Sequence, residues 1–312
     1  MINLLIMFSA IAIDWWLGDP RSLPHIVNYI AWLAKRLEQW LWRRDKSALW
    51  TGMLFYLFVM IGGLLPCALV GWGLKGVWVP AFWLWGTLLI FQSIAYRDLV
   101  RHVIRVLVPL EQGDLVQARK ALSWVVGRDT EHLDEREISR AAIETLAESL
   151  NDGVIAPLFW ALLLGPLGAI AFRITNTLDS LVGHRDERYE RFGKVSARMD
   201  DLLGFVPARI AGFMIWTIGV RRSWSDYLKD ARKHNSLNAG YPESAMAKAI
   251  GVKLGGTNIY DGEIHEGAVF NQDCRATEPV DIRTALKLTK RVYLGFIVLL
   301  ILFAVCTVRF QY

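Results

Sequence analysis

Carboxylates recur at four-residue spacing in EHLDEREISRAAIETLAESLND (131–152). Arg140, Glu144, Glu148 and Asp152 fall on one helical face, opposite an apolar stripe of Ile138, Ala142, Leu146 and Leu150. Like charges at this spacing cost a helix about 0.2–0.5 kcal/mol per pair. The ordinary account is a solvated face. The sharper one is that Glu144, Glu148 and Asp152 share a hard cation such as Mg²⁺, which takes oxygen ligands. Position favours the second, because the acidic face runs straight into an apolar segment beginning at Val154, where lone carboxylates are expensive.

Four other segments carry polar chemistry. SWVVGRDT (123–130) sets Arg128 beside Asp129, a fork donor suited to phosphate or carboxylate and, equally, a local salt bridge or cap. TNTLDSLVG (175–183) gathers Thr175, Asn176, Thr177, Asp179 and Ser180 behind an apolar run. A helix cap uses one or two such residues, and the surplus suits a hydrogen-bonding site for a polar ligand. SARMDDLLGFVPAR (196–209) places Asp200 and Asp201 near Arg198 and Arg209, an arrangement fit for Mg-phosphate or for a surface ion-pair cluster. HNSLNAGYPESAMAKAIGVKLGG (234–256) opens with a turn containing Asn238 and ends in Gly255-Gly256, where backbone can approach a ligand. His25 in GDPRSLPH reads as structural, and no Walker A loop, dinucleotide fingerprint or zincin motif occurs.

These residues need positioning elements, and composition says what kind. Hydrophobic residues make up 54% of the 312, with 14 Trp and a mean hydropathy of +0.29, which points to a membrane protein. Three runs qualify as spans: 48–74, 77–96 and 292–308. Weaker ones are 2–17, 154–175 (interrupted by Gly165-Pro166 and Gly168) and 204–220, which carries Pro207 and Arg209. Intervening polar stretches hold nearly all the charge. The first is rich in Arg21, Lys35, Arg36, Arg43, Arg44 and Lys46, and the positive-inside rule puts it in the cytoplasm. The net charge of +5 suits an anionic leaflet, with a share for phosphates, and no nucleic-acid partner is expected. Cys67, Cys274 and Cys306 have neither disulfide nor metal spacing. The start has no basic n-region and no cleavage site, so it reads as a retained segment. The expected fold is all-α: a polytopic integral membrane protein, one unit over 1–312, with helical cytoplasm-facing segments.

Taken together, GDPRSLPH, SWVVGRDT, ETLAESLNDGVIAPLFW, NTLDSLVG, SARMDD with PAR, and SLNAGYPESAMAKAIGVKLGG resemble the marking segments of the CbiB/CobD family, in the family's order. The chain departs from the usual pattern at Ile26 and Leu237 (commonly Pro), Ser149 and Gly204 (commonly Asn) and Lys248 (commonly Gly). The resemblance implies an adenosylcobinamide-phosphate synthase of the bacterial inner membrane, its active site facing the cytoplasm. It would join adenosylcobyric acid, a corrinoid, to an aminoalcohol phosphate such as 1-amino-2-propanol O-phosphate, with ATP and Mg²⁺ as cofactors. Other membrane-associated cobalamin-assembly enzymes are implied partners. On this reading Glu144, Glu148 and Asp179 are catalytic. Arg128, Asp129, Asn176, Ser180, Arg209, Asn238, Gly255 and Gly256 bind substrate, and Glu148, Asp152, Asp200 and Asp201 hold metal. Segments 97–153, 176–203 and 234–256 must then share one side, so 154–175 and 204–220 are expected to re-enter or face the cytoplasm. The alternative is a non-enzymatic sensor or scaffold of the AmpE-like kind. A transporter is disfavoured by the absence of an internal repeat.

Overall fold

The computed structural model describes residues 2–20, 24–42, 49–184, 188–219 and 223–309. Arg21, Arg43, Arg44 and Lys46 of the basic stretch lie outside them. The chain is an all-α polytopic membrane protein with one small β-hairpin. Among the described residues, five helical segments are long and apolar enough to cross a membrane: Leu49–Val77, Val79–Glu111, Glu135–Leu164, Lys194–Ile218 and Pro279–Cys306. Backbone contacts group the chain into two compact units, Met1–Arg97 with Asp152–Gly204, and Asp98–Asn151 with Phe205–Tyr312. Where the sequence reads as one unit, the boundaries fall inside helical segments rather than in polar linkers. No shift in composition marks them.

The first unit contains α1 (Ile2–Leu17), α2 (Ile26–Trp42), α3 (Leu49–Val77), α4 (Val79–Phe91), α8 (Ala156–Leu164), α9 (Pro166–Val182) and the start of α10 (Lys194–Ile218). Its core joins α2, α3 and α9 through Ile30, Phe55, Val59, Ile170, Ile174, Leu178 and Phe192, all buried. On α3 the exposed Trp50 and Trp72 are separated by about 33 Å of helix. That matches a hydrocarbon core of about 30 Å with aromatic residues at each face.

Helix-internal prolines leave the carbonyl four residues earlier without its N–H. Two such carbonyls, both of residues in this unit, are recaptured by an aromatic side chain. Pro66 frees Gly62, whose carbonyl accepts from the Tyr29 hydroxyl at 3.1 Å. Pro207 frees Leu203, whose carbonyl accepts from Trp160 Nε1 at 3.0 Å.

Two expected spans are broken. The run 77–96 stops being helical at Phe91 and resumes as α5 (Tyr96–Glu111). The irregular backbone between them is satisfied by protein, as it must be at membrane depth. The Ser93 carbonyl accepts from Arg173, the Ala95 N–H donates to Gly153 O at 2.9 Å, and the Ser93 hydroxyl donates to Leu89 O at 2.8 Å. The run 154–175 divides at Gly165, which has φ +72 and hands α8 over to Pro166 at the start of α9. Gly168 lies so close to the Trp160 carbonyl that a side chain there would collide with it.

The second unit contains α5, α6 (Leu115–Leu122), α7 (Glu135–Leu150), the end of α10, α11 (Trp224–Ala231), α12 (Gly240–Ile250), the hairpin β1 (Leu254–Tyr260) and β2 (Glu263–Phe270), and α13 (Pro279–Arg309). A capping box fixes where α7 begins: Asp134 accepts from Glu137 N while Glu137 accepts from Asp134 N, both at 2.8 Å. The small buried Ala141 and Ala142 of α7 and Ala285 of α13 suit close packing between these two helices. The strands pair antiparallel, Tyr260 opposite Glu263, around Asp261-Gly262 at φ +50 and +80. Positive φ at both loop positions is what a two-residue hairpin turn requires.

Candidate functional site

The acidic stripe of α7 does not continue as its spacing predicts. The α-helical ladder ends at Leu150 and a π-helical turn, Asn151–Ile155, carries the chain into α8. The wider turn breaks the 3.6-residue period, so Asp152 leaves the face of Glu144 and Glu148. The two glutamates belong to the second unit and Asp152 to the first. Among the described residues no group of three or more His, Cys, Asp or Glu side chains is arranged to hold a metal ion by itself.

In the first unit, the structure gathers Asp152, Asn176, Asp179, Asp200 and Asp201. Helix α9 runs to Val182, so the TNTLDS cluster sits inside a helix rather than capping one. Its hydroxyls turn back on their own helix: Thr175 donates to Ala171 O at 3.0 Å, Thr177 to Arg173 O at 2.8 Å and the exposed Ser180 to Asn176 O at 3.0 Å. That leaves Asn176 and Asp179 for other partners. Asn176 Nδ2 donates to Asp200 Oδ1 at 3.4 Å. Asp152, Asp179 and Asp201 all act on the charge of Asp200. Burial, and then the charge of Asp201, push the Asp179 carboxyl above its ordinary value, with His184 opposing. A pair of them, such as the adjacent Asp200 and Asp201, could hold a cation that brings the rest of its oxygen ligands with it. Mg²⁺ typically binds through one or two carboxylates and completes its shell with substrate phosphates and water.

Arg173, which the sequence reading passed over as part of an apolar run, belongs to this same set. Asp152 and Asp19 are its charged neighbours, and its Nε donates to the Ser93 carbonyl at 3.1 Å. The signal that could have found it is the rule applied above to Arg209: a guanidinium within an apolar segment needs a partner.

In the second unit, Arg128 Nη2 pairs with Glu144 Oε2 at 2.8 Å and its Nη1 donates to Asn258 Oδ1 at 2.7 Å. The other Glu144 oxygen accepts from Gly255 N at 2.7 Å. Arg140 donates to the carbonyls of Gly255 and Thr257 and to Asn258 Oδ1. Gly255 (φ +77) and Gly256 (φ +100) form a bulge in β1. The close backbone approach that Gly255 permits is thus to Glu144 and Arg140. Asp129 grips the hairpin, donating its N–H to Ile259 O at 2.9 Å and accepting from Gly262 N at 2.8 Å. Burial alone would lower the Arg128 guanidinium, but Glu144, with Tyr260 and Glu243, outweighs that and raises it. Glu243, a buried residue of α12 not foreseen from sequence, is pushed well above the carboxylate range by burial and by Glu148 and Glu144, against Arg128. Glu148 itself is exposed.

Arg209, expected as a phosphate clamp, is engaged internally. It donates to Phe205 O at 2.7 Å, Asn238 Oδ1 at 3.0 Å and Leu237 O at 3.3 Å. The rings of Phe205 and Tyr241 lie 3.5 and 4.1 Å from it. These contacts explain how a charge is tolerated in an apolar helix. Two family departures also find reasons here. The Ile26 N–H donates to Gln92 Oε1 at 3.0 Å, which proline could not do, and Lys248 pairs with Asp230 at 2.8 Å.

No solved structure matches this chain. The family model described as CobD/Cbib protein matches residues 7–289. A protein of Halalkalibacterium halodurans, named cobalamin biosynthesis protein CobD, is 40% identical with 96% of each chain covered. A Rhodobacter capsulatus protein of the same name is 40% identical over 96% of each chain. A third, from Clostridium perfringens, is 34% identical over 97% of this chain and 98% of its own. With the family model spanning almost the whole of it and relatives this similar end to end, the chain belongs to the CobD/CbiB family.

Proposed function

We propose that this protein works in cobalamin biosynthesis as an adenosylcobinamide-phosphate synthase. It would form an amide between the free carboxylate of adenosylcobyric acid and the amine of an aminoalcohol phosphate, with ATP consumed. Family membership supports the pathway. The observation that carries the chemistry is the gathering of Asp152, Asp179, Asp200 and Asp201 with Arg173 and Asn176 in one unit. A carboxylate is a poor acylating agent, so phosphoryl transfer from ATP to it must precede amine attack, and phosphate then leaves. When bound, Mg²⁺ would screen the phosphate charge. Asp200 and Asp201 are the residues assigned to hold it. Asp179, its carboxyl raised above its ordinary value by burial and by Asp201, is assigned to take the proton released by the attacking amine. Asn176 orients Asp200. In the second unit Glu144 is assigned a positioning role, since both its oxygens are engaged.

The test is expression in a bacterium lacking its own cobinamide-phosphate synthase, supplied with cobyric acid and scored for cobalamin-dependent growth. Growth that Asp179→Ala and Asp200→Ala abolish, at equal membrane levels, is the expected result. Growth unchanged by either substitution would move the chemistry away from this unit. No growth from a well-expressed wild-type chain would favour a non-catalytic role on the same fold.

A further inference from the structure

The GDPRSLPH segment has no task in the reading above, yet part of it walls a cavity in the first unit. The cavity measures about 380 Å³ and is lined by Asp19, Pro20, His25, Gln92, Ala95 and Arg173 among others. Its polar groups are unlike in charge. Arg173 uses Nε and Nη2 on the Ser93 carbonyl, and its remaining N–H groups have no hydrogen-bond partner among the described residues. Asp19 Oδ2 lies 3.4 Å from His25 Nε2 and keeps 44% of its side chain exposed. Gln92, also in the wall, is tied to the Pro24–Ile26 backbone, accepting from Ile26 N and donating to Pro24 O, both at 3.0 Å. A guanidinium with unused donors selects an anion and favours phosphate or carboxylate. An accessible carboxylate across the same cavity selects a cation. A ligand satisfying both carries an anionic and an ammonium group on one short chain.

We propose that this cavity is the binding site for an aminoalkyl phosphate, with the phosphate against Arg173 and the ammonium against Asp19. As the location of the aminoalcohol phosphate it rests on the function proposed above. The same chemistry occurs in a lipid headgroup. A second cavity of about 440 Å³ shares His25 and Gln92 with the first and is apolar, with Pro66, Val70, Trp85 and Leu88 in its wall. An acyl chain would suit it.

The experiment is calorimetric titration of the full chain, in nanodiscs of phosphatidylglycerol alone, with ethanolamine phosphate and with ethyl phosphate, which lacks the amine. Asp19→Asn should weaken ethanolamine phosphate about tenfold or more, the loss of one charge-assisted contact, and leave ethyl phosphate bound as tightly or more tightly, since Asp19 is a charged neighbour of Arg173. Arg173→Lys should weaken both. Thermal melts identify any variant that fails to fold, and Asp19, being accessible, is the safer of the two. Repeating the titration with phosphatidylethanolamine in the disc separates the sources: a lowered apparent affinity means the headgroup competes, and an unchanged one means the site takes the free monoester. Absence of binding, or an equal effect of Asp19→Asn on both probes, overturns the proposal. Amine-dependent binding by a chain that fails to complement would sink the ligase and leave the site standing. Complementation with binding indifferent to both substitutions would do the reverse.

Discussion

Arg128 Nη2 lies 2.8 Å from Glu144 Oε2, with 11% and 6% of the two side chains exposed. Breaking such an enclosed pair leaves one charge uncompensated. Arg128→Gln or Glu144→Gln should each cost about 3 kcal/mol of stability. A double replacement by Met should recover much of it, since apolar packing avoids the desolvation cost. Denaturant titration in detergent would check this, and a double variant no better than the singles would refute it.

Acid should loosen the contact of α11 with its neighbours. Burial pushes the Asp230 carboxyl up, but Lys233 at 2.6 Å, Lys248 at 2.8 Å and the Asn271 N–H at 3.0 Å outweigh it and hold it below the ordinary value. A depressed carboxyl contributes stability that is complete above the unfolded value of about 3.9 and is lost as pH falls through the folded one. The melting temperature of Asp230→Asn should therefore lie below wild type at neutral pH and converge on it in acid. Curves that stay parallel would contradict the assignment.

Gly255 should resist substitution where Gly127 does not. A Cβ at Gly255 would strike the Ala268 carbonyl, and its φ of +77 is strained for any L side chain. Gly127 faces open space. Gly255→Ala should cost more than about 2 kcal/mol and Gly127→Ala less than about 0.5 kcal/mol. The same denaturation assay decides.

Trp160→Phe should cost about 1 kcal/mol by leaving the Leu203 carbonyl without its donor. Pro207→Ala restores a backbone N–H four residues on. In that background the tryptophan substitution should cost measurably less, and an additive double-mutant cycle would show that the indole does not replace the missing amide.

A cysteine placed at the exposed Ser180 should not react with an impermeant maleimide added to sealed cells from the periplasmic side. Labelling there would overturn a cytoplasmic site on α9.

The sequence made the long spans legible because a bilayer imposes length: α3 and α13 follow from uninterrupted apolar runs. It hid what depends on a single residue's surroundings. A π-helical turn at Asn151 has no compositional mark, so the stripe from Glu144 seemed to reach Asp152. Arg173 passes as one more residue of an apolar run until the Ser93 carbonyl, 80 residues away in sequence, appears beside it. Glu243 in PES carries no mark in the sequence, because its burial depends on what packs over α12. The hairpin was missed although Asp261-Gly262 between alternating residues is a known signal for one.

That hairpin has a consequence for local opening. Two strands alone are marginal in water. Here they are held by Arg140, Arg128 and Asp129, with the Glu144 contact to Gly255 at the base. Amide hydrogens from Thr257 to Glu266 should therefore exchange with solvent as one cooperative block, well before those of α7. Any ligand that tightens the grip on Asn258 or Gly255 would slow exchange along the whole block. The protection of a surface ribbon thus becomes a gauge of what happens at its buried root.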